Sequence, residues 1–393
     1  MTQERTPWIP PLGWIVLLPA LALTGLGLLG VWAGEIDQDG PPQQTLRQLA
    51  FLLAGLIALV GVQWVGYRRA GSWAYPLFVV ALVLLALLII ARKVPMSPFI
   101  APRRNAYRWI NLGPIGFQVS EYAKVVFILA LAWFLRFRTN YRSLSGLLVP
   151  FALTLIPLGL ILKEPDLGTS LLLLPTMYVM LFVAGAKWRH ALSMLALVLV
   201  AAPAFYFSPL MNEYQRNRIR AVLRQDESED KWRLNDGYQL NQSKIALGSG
   251  RLTGRGFVEG SFFKYDLLPE EHNDFIFAVI GHQWGFIGCL GVLLLYLIII
   301  TAGLTIASST ADPLGRLLAV GVCALIGAQA IINIGMTVGL MPITGMTLPF
   351  VSMGGSGLVA NYVAIGLLID VGRPRPIDIA RKPFEFTDEL DDD

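Results

Sequence analysis

Residues 14–33 read WIVLLPALALTGLGLLGVWA, a run from Trp14 to Ala33 with no ionisable side chain. A helix needs about 20 mainly apolar residues to cross a hydrocarbon core of about 30 Å, and this run has that length. It is longer than a signal-peptide core and carries no convincing small-residue cleavage site, so it reads as a retained anchor.

The same reading, carried along the chain, finds nine further apolar runs. The ten predicted spans cover residues 14–33, 47–66, 74–92, 118–136, 144–162, 167–184, 189–208, 274–307, 314–340 and 350–371. The expected fold is therefore an all-α integral membrane protein of about ten transmembrane helices. The eighth run exceeds a membrane thickness and is expected to tilt or protrude. Composition agrees: of 393 residues, 55% are hydrophobic and only 15% charged, where soluble domains carry about 25% charge. Mean hydropathy is +0.58. A disordered chain and an ordinary soluble domain are both excluded.

Charge placement sets the expected topology. Arg68 and Arg69, then Arg136, Arg138 and Arg142, then Lys187 and Arg189, then Arg373, Arg375, Arg381 and Lys382 all fall on one side. Positive residues in short loops resist translocation, so that side is read as cytoplasmic, with both termini there. Residues 1–372 form one polytopic unit. The tail, 373–393, ends in an acidic cluster and is expected to be solvated and disordered. A long external loop, 209–273, joins the seventh and eighth helices and carries 10 Lys/Arg against 10 Asp/Glu. That balance disfavours nucleic-acid binding, which wants an extended positive surface. The loop at 93–117 is external by parity yet holds Lys93, Arg103, Arg104 and Arg108 without an acid. Cations kept outside against the topological bias suggest an anionic partner, unless a span has been miscounted.

Ionisable groups inside or at the edge of apolar runs are the candidate functional residues. Gln118, Glu121 and Lys124 share one helix face. They either pair to hold helices together or line a polar cavity open to the external leaflet. Asp166, in Lys163-Glu164-Pro165-Asp166-Leu167-Gly168-Thr169, either caps the following helix or lines that cavity. Arg216, Arg220 and Arg224 share a face if the start of the external loop is helical, and a local arginine cluster suits a phosphate-sized target. Asp274 stands where polar chain becomes apolar helix. It is either a cap or a carboxylate whose proton affinity is raised at the edge of a lipid-lined cleft, able to act as a base.

Negative signals narrow the class. Cys289 and Cys323 lie in separate apolar runs, and His190, His272 and His282 are scattered, so no zinc or iron–sulfur pattern exists. Gly248-Ser249-Gly250 and Gly354-Gly355-Ser356-Gly357 match neither a Walker nor a dinucleotide fingerprint, so no nucleotide is expected.

Taken in order, Tyr107 to Gly113, Ser120-Glu121-Tyr122-Ala123-Lys124, Glu164 to Thr169, Leu268 to Phe277, and Asn333 to Met336 through Leu348 to Ser356 resemble the SEDS family, whose members include RodA and FtsW. The resemblance covers nearly the whole chain. It implies a ten-helix glycosyltransferase that polymerises lipid II into peptidoglycan outside the bacterial cytoplasmic membrane, acting on undecaprenyl-diphosphate-linked glycan beside a class B penicillin-binding protein. Gly237 to Gly250 is more similar to RodA than to FtsW, implying a role in cell elongation and shape. Met353 and Asn273 depart from the residues usual at those positions. An FtsW-like division polymerase and a lipid II flippase are the alternatives. By resemblance, Asp274 is the catalytic residue and a possible ligand of Mg or Mn. Arg108, Trp109, Glu121 and Lys124 belong to the central cavity, with Asp166, Arg216, Arg218 and Arg220 as further substrate-binding candidates.

Overall fold

The computed structural model describes residues 10–36, 41–92, 100, 107–112, 115–137, 145–187, 213–223, 237–257 and 273–374, with isolated positions between 192 and 211. The acidic tail, the cationic stretch holding Lys93, Arg103 and Arg104, and most of the expected seventh span, 189–208, lie outside them.

The helices are α1 (Pro11–Glu35), α2 (Gln43–Val65), α3 (Tyr67–Ser72), α4 (Ala74–Ala91), α5 (Val119–Leu135), α6 (Leu148–Lys163), α7 (Leu167–Ala184), α8 (Glu213–Leu223), α9 (Tyr238–Ser249), α10 (Ile276–Ser309), α11 (Pro313–Val338) and α12 (Gly355–Val371). Six of them, α1, α2, α4, α7, α10 and α11, are long and apolar enough to cross a membrane, and α6 and α12 are shorter apolar helices. The chain is thus a multi-pass all-α membrane protein. Its helix ends fall within a few residues of the apolar runs, because in lipid an interrupted backbone ladder leaves polar groups unsatisfied. One short antiparallel hairpin was not expected from the sequence. Strand β1 (Trp109–Leu112) pairs with β2 (Ile115–Gln118), Trp109 opposite Gln118, and leads directly into α5.

Packing brings the arginines of the helix ends together. Beyond α2, the Tyr67 amide donates to Asp370 Oδ2 at 2.7 Å and its hydroxyl to Asp312 Oδ2 at 2.8 Å. Arg68 pairs with Asp312 at 3.2 Å and Arg373 with Asp370 at 3.4 Å. Gly71 of α3 lies against Trp133 of α5 and Leu314 of α11, and Arg136 stacks over the Trp133 ring. Arg68, Arg136 and Arg373 therefore share one end of the bundle. Asp274, at the opposite terminus of α10 from Asp312, lies at the other end.

Helix α10 shows how the overlong run is accommodated. Its 34 residues would rise about 50 Å if straight, well beyond the hydrocarbon core. Gly285, at φ 64° and ψ −157°, interrupts it. The carbonyls of His282 and Gln283 then accept from the amides of Arg255 and Gly256 at 2.9 and 3.2 Å. In exchange, the amides of Phe286 and Ile287 donate to the carbonyls of Arg251 and Leu252 at 2.9 and 3.1 Å. The segment after α9 thus satisfies backbone groups that the break exposes, the condition under which a membrane helix tolerates one.

Candidate active site

The site is assembled where α7, α8, α10 and α11 converge on the loop that follows α11. Asp274 lies two residues before α10. Gly345, in that loop, has φ +72°, and a Cβ placed on it would lie 3.1 Å from Arg218 Nη1 and 3.4 Å from Asp274 Oδ2. A carboxylate and a guanidinium therefore meet over one glycine. The next loop residue, Met346, lies with Thr344 against Gly168 at the start of α7.

Around this centre the other candidates fall into distinct roles. Asp166 caps α7, accepting from the Thr169 amide at 3.2 Å, the Thr169 hydroxyl at 3.0 Å and the Ser120 hydroxyl at 3.3 Å. Ser120 thereby links the α7 cap to α5, where Glu121 and Lys124 are buried and ion-paired at 3.0 Å. Lys124 also donates to Gln329 Oε1 of α11 at 3.1 Å. Arg108 is turned onto backbone, its Nε donating to the Glu164 carbonyl at 2.8 Å and its Nη2 to the Pro165 carbonyl. Trp109 opens the hairpin that this arginine anchors. The hairpin is fastened at its other strand, where Ser356 accepts from the Gln118 amide and donates to the Gly116 carbonyl, each at 3.0 Å.

The external arginines separate. Helix α8 puts Arg216 and Arg220 on one face, as the spacing predicts, and that face turns to nearby chain, residues 206–213. Arg216 donates to the carbonyls of Tyr206 and Ser208, and Arg220 pairs with Glu213 at 2.8 Å. Arg218, two residues from each, projects from the opposite side and lies, like Asp274, against Gly345. Arg224 lies outside the described residues.

Sequence reading named no site role for a second set of polar residues, of which only Asn333 entered it, as part of a motif. Gln329, Asn333 and Thr337 recur every four residues along apolar α11 and are all buried. Gln329 joins Lys124 to the Thr347 carbonyl, the latter at 2.8 Å. Asn333 donates to the Asp274 carbonyl at 3.0 Å. The signal was present as a polar stripe at helical spacing, but such a stripe carries no charge to draw attention. Gln48 of α2 and Ser352 also brace the loop, through Gln48 to the Ser352 carbonyl at 3.1 Å and Ser352 to the Asn273 carbonyl at 2.5 Å.

Glu164 is the unusual acid of the site. It is buried, and neither carboxyl oxygen has a hydrogen-bond partner among the described residues. Burial pushes its pKa up to about 9, with the neighbouring Asp166 charge adding to the rise and Arg108 opposing it. An apolar cleft of about 370 Å³ between α10 and α11, lined by residues such as Leu293, Tyr296, Ile331 and Val338, has no Asp, Glu, His, Lys or Arg in its lining and lies apart from the charged cluster.

The fold and this charged cluster define a multi-pass helical membrane protein with the Asp274 carboxylate at the end of the bundle opposite the arginine clasp. The chain belongs to the FTSW_RODA_SPOVE family, described as cell cycle protein, which it matches over residues 14–375. It is 36% identical to the peptidoglycan glycosyltransferase MrdB of Escherichia coli strain K12, across 91% of this chain and 92% of that relative. Among solved structures, it is similar to a chain from work on structural coordination of polymerization and crosslinking by a peptidoglycan synthase complex. There the TM-score is 0.75 with 31% identity, covering 91% of this chain and 97% of the other. The rod shape determining protein RodA of Thermus thermophilus matches with TM-score 0.67 and 28% identity, covering 95% and 98%.

Proposed function

We propose that this chain is a peptidoglycan glycosyltransferase of the RodA-like, cell-elongation type that polymerises lipid II at the external face of the bacterial cytoplasmic membrane. Both termini are cytoplasmic in this reading, which rests on the arginines gathered at one end of the bundle and Asp274 at the other. A class B penicillin-binding protein is the proposed partner, supported by the likeness to a synthase complex that couples polymerization to crosslinking.

The observation that carries the chemistry is the placement of the Asp274 carboxylate and the Arg218 guanidinium against the same glycine, Gly345. Asp274 takes the proton from the 4-hydroxyl of the acceptor sugar as its oxygen bonds to the anomeric carbon of the donor. The bond from that carbon to the phosphate oxygen breaks, and polyprenyl diphosphate leaves with the electron pair. Arg218 is placed to hold the diphosphate, since a guanidinium fork matches phosphate oxygens and oriented charge at a developing anion is a large catalytic effect. Lys124 adds positive potential from α5. Apolar helix surfaces solvate the polyprenyl tail, and the external loop meets the sugars.

Among the described residues no three His, Cys, Asp or Glu side chains converge, and the charged neighbour of Asp274 is a cation. Among the described residues that set suits an anion, and the mechanism here uses the chain's own groups with no step through a metal.

Asp274→Asn is expected to keep the fold and abolish glycan polymer formed from purified lipid II in a gel assay, run with and without chelator. Normal polymer length and rate in that variant would overturn the assignment. Lipid translocation in vesicles without polymer would point instead to a flippase.

A further inference from the structure

Asp274 lies outside the regular part of α10, and a helix terminus has few hydrogen bonds of its own to hold it. Its backbone is fixed from elsewhere. Asn333 Nδ2 donates to the Asp274 carbonyl at 3.0 Å and to the Met346 carbonyl at 2.5 Å. One side-chain amide of α11 therefore ties together the residue bearing the carboxylate and the residue after Gly345, the glycine against which this carboxylate and Arg218 both lie. Ser352 repeats the arrangement one residue earlier, accepting from the Leu348 amide at 2.6 Å and donating to the Asn273 carbonyl at 2.5 Å.

The chemistry permits only one orientation of the Asn333 amide. Both of its neighbours are carbonyl acceptors, so the NH2 must face them; a flipped amide would set oxygen against oxygen. Asn333 Oδ1 then has no partner among the described residues although the side chain is fully buried. Leu would fill similar space in an apolar helix without that unsatisfied acceptor. What Asn alone among residues of this size supplies is two donors diverging from one nitrogen, which is what two carbonyls on separate segments require. The Asn333 carbonyl also accepts from the Thr337 hydroxyl at 2.9 Å, which holds the amide's own turn of α11.

We propose that Asn333 is a positioning residue for catalysis, setting the separation of the Asp274 carboxylate and the Arg218 guanidinium by clamping the backbones of Asp274 and Met346. The inference rests on Asp274 being the proton acceptor. A misplacement of about 1 Å at a reacting group can cost about 100-fold in rate, so loss of the clamp acts on turnover rather than on substrate capture.

The test measures kcat and KM for lipid II, with Tm, in the full-length protein in detergent. Asn333→Ala is expected to lower kcat at least tenfold with KM within twofold. Asn333→Asp, of the same shape but with at most one donor when protonated, cannot bridge both carbonyls and should not exceed Asn333→Ser. Asn333→Ser, which keeps one donor, should recover part of the lost kcat. Val322→Ala, a cavity variant on the same helix, controls for general loosening and should lower Tm while leaving kcat within twofold. Should Asn333→Ala fail to fold, Asn333→Ser and Ser352→Ala carry the test, each expected to lower kcat at least threefold at unchanged KM. The proposal is overturned if the folded variants match Val322→Ala in kcat while Asp274→Asn is inactive. Activity in Asp274→Asn would instead overturn the underlying role of Asp274.

Discussion

Lys124 and Glu121 form an ion pair of 3.0 Å within α5, their side chains 2% and 8% exposed. Because both partners belong to one helix turn, the pair itself joins no two helices. The interhelical bond from Lys124 runs instead to Gln329 of α11. Glu121 therefore supplies the counter-charge that keeps an ammonium tolerable in the membrane interior, and Gln329 supplies the direction.

Removing one member of such a pair leaves the other charge buried, at a cost of about 3–5 kcal/mol. Glu121→Gln is expected to lower Tm markedly, and adding Lys124→Met to it should restore much of the loss. Thermal unfolding of the single and double variants in detergent checks this. Lys124→Ala should also slow polymerisation at least tenfold; an unchanged rate would confine Lys124 to a structural role.

The separation of the arginines on α8 yields a clean contrast. Arg218→Gln is expected to reduce polymerisation at least tenfold, whereas Arg220→Gln, whose guanidinium is engaged by Glu213, should stay within threefold of wild type. The gel assay compares them directly, and equal effects would remove Arg218 from the site.

Gly345→Ala adds a methyl group at φ +72°, facing Arg218 and Asp274. The left-handed backbone costs about 1–2 kcal/mol with a side chain, which a membrane bundle of this size should survive. Turnover is expected to fall much further than stability, because the methyl enters the space beside the Asp274 carboxylate and the Arg218 guanidinium. Comparing the loss of rate with the change in Tm checks this.

Glu164 makes stability depend on pH. Its folded-state pKa, raised from 4.5 to about 9, means that the folded protein holds this proton over a range where the unfolded chain has lost it. Stability is therefore greatest below about 4.5 and declines as pH rises towards 9. Glu164→Gln, neutral throughout, should flatten that decline. The Tm gap between variant and wild type should widen on the order of 5 °C between pH 5 and 9.

Apolar run length fixed the helices that the sequence could announce, because a bilayer admits little besides an unbroken helix. Even so, the break at Gly285 was invisible in an uninterrupted hydrophobic run, since it depends on a partner backbone from residues 251–256. For the site, charge in an apolar setting was enough to single out Asp274, Glu121 and Lys124, because such groups are costly unless they are used. Their division of labour was not legible. Asp166 became a cap, Arg108 a backbone anchor, and Arg218 rather than Arg216 or Arg220 shared the surroundings of Gly345 with the carboxylate.

What the amino-acid order determined by itself was the class of molecule, the spans and the side of the bundle on which charge collects, all of which follow from local hydropathy. What only the tertiary structure decided was which charges meet. Asp274 and Arg218 are brought together over Gly345, and Asn333 and Ser352 hold the backbone beneath them. Those residues come from α8, α11 and two loops that are distant in sequence. Their proximity is a product of helix packing, and no spacing along one helix encodes it.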